Sequence, residues 1–472
     1  MIHFLATVFA GAVAAATWYV DSNGDDAAAG TSPAAAWRSL ERVNKEKFAP
    51  GDRVLFKRGG LWRGTLLPAS GEPGKPVTYS WYGVGPKPIL QNSADRSKPE
   101  DWFEESPGLW STRTAKSEQL PFDVGIFICD HGKRWGVKKW RNPEWKVQEL
   151  EQPLDYWYDP DNKRVVVRFD GNPAKAFSSI ELAFTKHVVN EGGKHDVVYD
   201  GLCVRYGAAH GFGGGSTRNI TIRNCDIYWI GGGLQFWRKD PKTSKIIYPV
   251  RFGNGIEFWG NATGHLIERN RLWEVYDAAL TNQGRDDIET DIVWRDNVIW
   301  NSEYSFEYWN KKLTANITFE HNTCVDAGYG WAHSQRPDRN GAHLMYYSNR
   351  AATTNFVVRN NVFCRATEWT MRSALDWRQG LTHDHNLVWN SDGVPIARWL
   401  EGKALQKLMW DGYIALGFDP HSDFAEPKFV NPAQRDYRLA DGSPGLTLAS
   451  DGGPVGARDM PGLDKDQSLM GK

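Results

Sequence analysis

The feature that most restricts what this chain can fold into is a recurrence: an apolar stretch leads into Asn and then into another apolar residue. It occurs in Leu266 to Leu272 around Asn270, Ile292 to Ile299 around Asn297, Ile317 to Cys324 around Asn322, and Phe356 to Phe363 around Asn361. The steps from Asn270 to Asn297 and on to Asn322 are 27 and 25 residues. A unit of that length cannot bury its own apolar face and must stack on its neighbours. A second series reads as three copies of one strand: Gly233-Leu234-Gln235-Phe236-Trp237, Gly255-Ile256-Glu257-Phe258-Trp259 and Ser305-Phe306-Glu307-Tyr308-Trp309. The alternation in each marks a strand with one buried face. A solenoid of strands is therefore expected, with function along its flank.

Composition narrows the partners. The formal net charge of −1 over 472 residues gives no electrostatic footprint for nucleic acid or an anionic membrane. Trp outnumbers Met 23 to 6, more rings than a narrow solenoid interior needs, and exposed Trp faces stack well on sugar rings. Met1 to Ala16 is apolar and ends in Ala14-Ala15-Ala16, which fits a secretory signal although it lacks Lys and Arg, so a secreted or periplasmic protein is expected. No other stretch reaches the ~20 apolar residues that span a bilayer. Five cysteines without a C-x-x-C pair argue against a disulfide framework or thiolate metal site; Cys225, Cys324 and Cys364 read as small buried hydrophobes.

The two ends carry a resemblance. Trp18-Tyr19-Val20-Asp21, Gly30-Thr31-Ser32, Pro50-Gly51-Asp52, Gly71 through Pro76 and Tyr82-Gly83 resemble the amino-terminal cap of right-handed parallel β-helix proteins. Those are the secreted, pectate-lyase-like glycoside hydrolases and polysaccharide lyases. The closing text, Pro427 to Pro432, Asp436-Tyr437-Arg438-Leu439, Gly442-Ser443-Pro444 and Gly456-Ala457, is similar to their last coil. The resemblance implies an all-β fold, a right-handed parallel β-helix solenoid. Residues 92–183 break the repeat, and a turn at Asp159 to Asn162 between aromatic and β-branched runs argues a hairpin, hence an inserted small β-subdomain. The expected organisation is a signal peptide at 1–16, an amino-terminal cap with first coils at 17–91, the insert at 92–183, the core carrying the site at 184–395, and closing coils with a tail at 396–472. Residues 239–248 and 335–349 read as long loops on the stack, and 396–419 as a short helical excursion.

Stacked coils bring equivalent positions into ladders about 4.8 Å apart. The Asn ladder is expected to be structural, its amides bonding along the stack at a bend. If Ile256 and Phe258 point inward, Glu257 and Glu307 point outward, two turns apart, with Thr281 on the turn between and Asp277 just before it. Asp277 with Glu307 or Glu257 is the expected acid–base pair of a glycoside hydrolase, which needs one protonated and one ionised carboxyl group; an inverting geometry is expected. Glu303 is a further catalytic candidate on a turn. Trp237, Trp259, Trp309, Gln235, His210, His333, Arg336 and Asn282 are the candidate substrate contacts. His333 could move protons or hold a hydroxyl, and Arg336 could clamp a uronate carboxylate.

Two other readings stay open. A polysaccharide lyase would take its base from His333, Arg336 or Lys311, with Ca²⁺ possible at Asp286-Asp287 and Glu289. A non-catalytic carbohydrate-binding solenoid would use Trp for stacking alone. No cofactor is expected for a hydrolase. The partner expected is a polysaccharide or oligosaccharide, bound by a monomer.

Overall fold

The computed structural model describes residues 15–458 except 114, 116–118, 143, 285–286, 348–351, 375–378, 392 and 402–403. The expected leader lies almost wholly outside these residues, as does Asp286. Each turn of the chain contributes one strand to each of three sheets, called I, II and III here. One turn runs Leu313–Glu320 in sheet I, Thr323–Ala327 in sheet II and Ala342–Tyr346 in sheet III. Among the described residues the sheets hold 11, 10 and 9 strands respectively, and successive coils pair in parallel. This is a parallel β-helix, as the repeat and the terminal motifs led one to expect. Ile317, Phe319, Cys324, Phe306 and Leu344 face inward and share one apolar core with the same positions of the other coils. All five thiols are buried and unpaired.

The repeated Asn marks the corner between sheets I and II. The residue before it is left-handed, with φ of 54°, 54°, 52° and 59° at Arg269, Asp296, His321 and Asn360, which turns the chain sharply at some steric cost. The Asn side chains hold that turn. The backbone N and Nδ2 of Asn270 both donate to Asn297 Oδ1 at 3.0 Å. Asn297 does the same to Asn322 Oδ1, and Asn322 to Asn361. Each Nδ2 also reaches a backbone carbonyl of the preceding coil, such as Trp294 O from Asn322. The ladder continues through Asn386, which the spacing rule did not single out, and ends on Asp419.

The insert is a β-subdomain with its own core of Trp102, Phe127, Tyr156, Val165, Val167 and Leu182. Asp155–Asp159 and Arg164–Arg168 form its central hairpin. It is seated on the helix through a buried knot. Lys138 Nζ donates to Asp123 at 2.5 Å, and Asp123 also accepts from Thr185 Oγ1 and Leu234 N. Gln335 joins the same seam, donating to Gly136 O and accepting from Arg251.

Three local expectations are corrected. The run Gly233 to Trp237 is not a coil strand: it belongs to Gly233–Lys239, which pairs antiparallel with Ile246–Phe252 in a hairpin leaving the stack. Residues 239–248 are largely the far end of that hairpin rather than an irregular loop. Among the described residues of 396–419 only Trp410–Ile414 is helical; Ala397–Glu401 and Ala404–Leu408 form an antiparallel pair that extends sheet III. The closing hairpin, Phe429–Asn431 with Asp436–Leu439, packs on the outside of sheet II. There Tyr228, Trp273 and Trp300 stack at 4.1 and 4.7 Å, and Tyr437 covers the end of the pile. Trp37, Trp294, Trp331 and Trp399 are buried, so much of the tryptophan is structural.

Candidate active site

Sheet III carries the carboxylates in the expected register. Glu257 pairs with Thr281 and Thr281 with Glu307, on three successive coils. Ile256, Phe258, Leu280, Phe306 and Tyr308 lie in the core, so these three residues face outward, followed on the next coil by Met345. Two positions further along each strand stand Trp259, Gln283, Trp309 and then Tyr347. Trp259 and Tyr347 are 36% and 40% exposed and Trp309 is half-buried, so an aromatic border runs beside the acidic ladder.

Asp277 and Glu303 occupy the same place on adjacent coils, each just before a sheet III strand, because Ala278 pairs with Tyr304. The loop after Thr323–Ala327 folds back over them. Arg336 Nη1 donates to Asp277 Oδ1 at 3.0 Å and to Tyr276 O at 2.9 Å, and its guanidinium lies 3.7 Å from Glu303. Its plane covers Tyr276 and Tyr304 at 4.9 and 5.5 Å. Glu303 is buried, with His333 Nδ1 at 3.0 Å and the Asn340 amide at 2.8 Å. The loop itself is anchored by Glu274, whose carboxylate accepts from the Trp331 amide.

The electrostatics separate the acids. Burial pushes the Glu307 carboxyl well above its ordinary range, and the neighbouring Asp277 and Glu257 charges add to that. Its contacts are Gln283 Nε2 at 3.1 Å and the Tyr347 hydroxyl. Asp277 is also raised by burial, but Arg336 in direct contact holds it back. Of these two acids the proton therefore belongs on Glu307, which lacks a bonded cation. Glu257 accepts from Asn254 Nδ2 at 2.6 Å and lies 3.0 Å from His210 Nδ1. His210 stacks on His187 at 4.8 Å, and both rings tilt against Trp259. Burial, then His210, holds His187 down to about 3, so that imidazole is neutral. Next to this pair a cavity of about 530 Å³ opens between the first coils, the insert and the hairpin, lined by Thr65, Asn92, Phe122, Lys186, His187 and Phe252 among others.

Asp277, Glu257, Glu303, Glu307, Trp259, Trp309, His210, His333 and Arg336 thus gather on one flank. Four expectations fail on geometry. Asn282 follows Thr281 on the strand, points into the solenoid and is fully buried, so it does not reach the flank. Gln235 and Trp237 sit on the hairpin; Trp237 is wedged against Trp140 and Trp145 of the insert, at 5.5 and 5.7 Å, and Gln235 is exposed. Glu289 is buried inside the coil, bonded by Tyr308, and cannot join Asp287 in a surface Ca²⁺ site. Arg336 is committed to Asp277 and Glu303 and is mostly buried, so it is not a clamp waiting for a uronate. The sequence reading missed Asn254, Gln283, Tyr304, Tyr347 and His187. The first four sit on or beside the ladder positions already identified, and reading every outward position of the repeat would have found them.

No family model matches the chain. Lacto-N-biosidase of Bifidobacterium longum subsp. longum is 39% identical over 89 residues, which are 18% of this chain and only 5% of that protein's length. Among solved structures, XylC in complex with xylose is similar over 81% of this chain and 69% of its own, with a TM-score of 0.51 and 10% identity. Pectate lyase Pel9A covers 96% of this chain and 98% of its own at a TM-score of 0.47 and 11% identity. The likeness to XylC is one of fold.

Proposed function

We propose that this protein is a glycan-degrading enzyme, a glycoside hydrolase in which Glu307 is the general acid and Asp277 its ionised partner. The observation that carries the reading is the unequal treatment of two neighbouring carboxyl groups, both raised by burial but Glu307 further. Glu307 is buried among like charges, which favours its protonated form; Asp277 is bonded to Arg336, which offsets part of its burial and favours its charged form over that of Glu307. In the reaction Glu307 protonates the leaving glycosidic oxygen as the bond breaks. Asp277 removes a proton from the attacking water, giving inversion at the anomeric carbon. Trp259, Trp309 and Tyr347 offer faces on which sugar rings stack. Glu303 is a positioning residue that fixes Arg336 and His333. The short stretch of likeness to a lacto-N-biosidase, a glycosidase by name, supports hydrolysis over elimination. The apolar, Ala-ended amino terminus supports work outside the cytoplasm, on a poly- or oligosaccharide.

The test is incubation with a panel of oligo- and polysaccharides, following new reducing ends together with the ultraviolet absorbance of an unsaturated uronate. Reducing ends without the chromophore are expected. The chromophore would assign a lyase, and retained binding with neither signal a carbohydrate-binding solenoid. Proton NMR of the first product should show the inverted anomer; a retained one would make Asp277 a nucleophile instead.

A further inference from the structure

Far from the carboxylate flank, at the closing end of the stack, Asp384, His385 and His421 present a set of donor atoms that the proposed hydrolysis does not use. We infer that they form a binding site for a zinc-type divalent cation which staples the carboxy-terminal segments to the last coil. One donor atom each from Asp384, His385 and His421 lies within 4.8 Å of the other two. Oδ2 is 2.8 Å from the His421 nitrogen and 3.8 Å from the His385 nitrogen. Ligand atoms about 2.0–2.2 Å from a tetrahedral Zn²⁺ stand roughly 3.3 Å apart, so the set is completed by small adjustments that open the 2.8 Å pair and close the 3.8 Å one.

The surroundings prepare each donor. His385 Nδ1 bonds the carbonyl of Leu448 at 3.0 Å, so Nδ1 carries the hydrogen and the lone pair of Nε2 faces the site. Asp384 Oδ1 accepts from the amides of His385 and His421, both at 2.9 Å, which fixes the carboxylate and leaves Oδ2 toward the two rings. The rings lie nearly parallel, 17° apart with centroids 5.2 Å from each other. No Lys or Arg pairs with Asp384 among the described residues; its ion partners are these two histidines. A set of two imidazoles and one carboxylate, with room for water in the remaining position, suits Zn²⁺ better than the all-oxygen shells of Ca²⁺ or Mg²⁺.

The place in the fold gives the site a use. Asp384 and His385 sit at the corner beside Asn386, the last rung of the Asn ladder, and His421 lies next to Asp419 and Ser422, which close that ladder. Leu448 belongs to the tail that covers sheet II. A bound ion would tie these segments and stabilise the native chain by mass action.

The test uses the full chain, stripped with EDTA and dialysed at neutral pH, titrated with ZnCl₂ by calorimetry and followed by thermal unfolding. Wild type is expected to bind one Zn²⁺ with micromolar or tighter affinity and to gain several degrees in Tm. His421→Ala, at an exposed position, and Asp384→Asn, which still accepts both amides, should each weaken binding at least tenfold and remove most of the gain. Wild type without a one-to-one event, or a gain in Tm that persists in both variants, would overturn the site. Calcium in place of zinc should give no comparable shift; an equal response to calcium would also count against it.

Discussion

At the scale of single residues, the proposed division of labour between Glu307 and Asp277 comes from neighbours rather than from the acids themselves. Glu307→Gln should lower kcat about 10²–10⁴-fold with little change in KM, since it removes the proton donor and leaves the aromatic border intact. The pH profile tests the cause. With Glu307 raised, the alkaline limb of kcat/KM should lie above the ordinary carboxylate range, because activity is lost only when Glu307 gives up its proton. Glu257→Gln removes one of the negative charges that hold this proton, so that limb should move to lower pH. A limb that stays in place, with Glu307 intact, would show that Glu257 does not act on the acid. The outward direction of Glu257 and Glu307 was legible because an alternating strand leaves one choice once its apolar residues are placed. The roles of Arg336 and His333 were not, because they depend on a loop that returns over an earlier coil. Arg336 read as a substrate clamp; the fold spends its charge on Asp277.

At the scale of the element, two structures carry separate loads. The Asn ladder holds the corner between sheets I and II, and each amide bonds both the next rung and a carbonyl of the coil before. Asn322→Ala leaves Asn297 N and the Trp294 carbonyl without these partners in the core, at a cost of roughly 2–4 kcal/mol, to be read from the midpoint of urea unfolding. The seam of Gln335, Arg251, Lys138 and Asp123 instead positions the insert and the hairpin. Gln335→Ala should leave the unfolding midpoint nearly unchanged and raise KM, because it loosens the insert and hairpin that wall the cavity beside His187 and not the stack. The ladder was legible in the sequence since it repeats at coil length. The hairpin was not: Gly233 to Trp237 has the same alternation as the coil strands, and alternation reports one buried face without saying which partner buries it. Trp237 meets that requirement against Trp140 and Trp145 of the insert, 92 to 97 residues earlier in the chain.

At the scale of the whole molecule, a tube this narrow encloses charge as well as apolar side chains. Burial raises Glu191, inside an early coil, to about 8, and Glu274, under the site loop, to about 7. In both the folded carboxyl keeps a proton that the unfolded one releases near 4.5. Their contribution to stability is therefore most favourable below about pH 4.5 and declines as pH rises through the folded values. Glu191→Gln should unfold at a higher temperature than wild type at pH 8, by an amount equivalent to roughly 2–4 kcal/mol, and the two should converge near pH 4. A gap independent of pH would mean that Glu191 is already charged in the native tube. Fold class was legible at this scale because stacking is the one way a 25- to 27-residue unit buries its apolar face. Interior acids were not, since Glu191 and Glu289 look in sequence like any solvated strand residue.

The pile of Tyr228, Trp273 and Trp300 under Tyr437 has an optical consequence. Chromophores this close and this nearly parallel share excitation, so their near-ultraviolet dichroism and emission report on the pile as one body. Lifting the closing hairpin would wet its outer ring and redden that emission while the coils beneath stay wound. The molecule thus carries its own gauge for undocking of its tail, readable without a label.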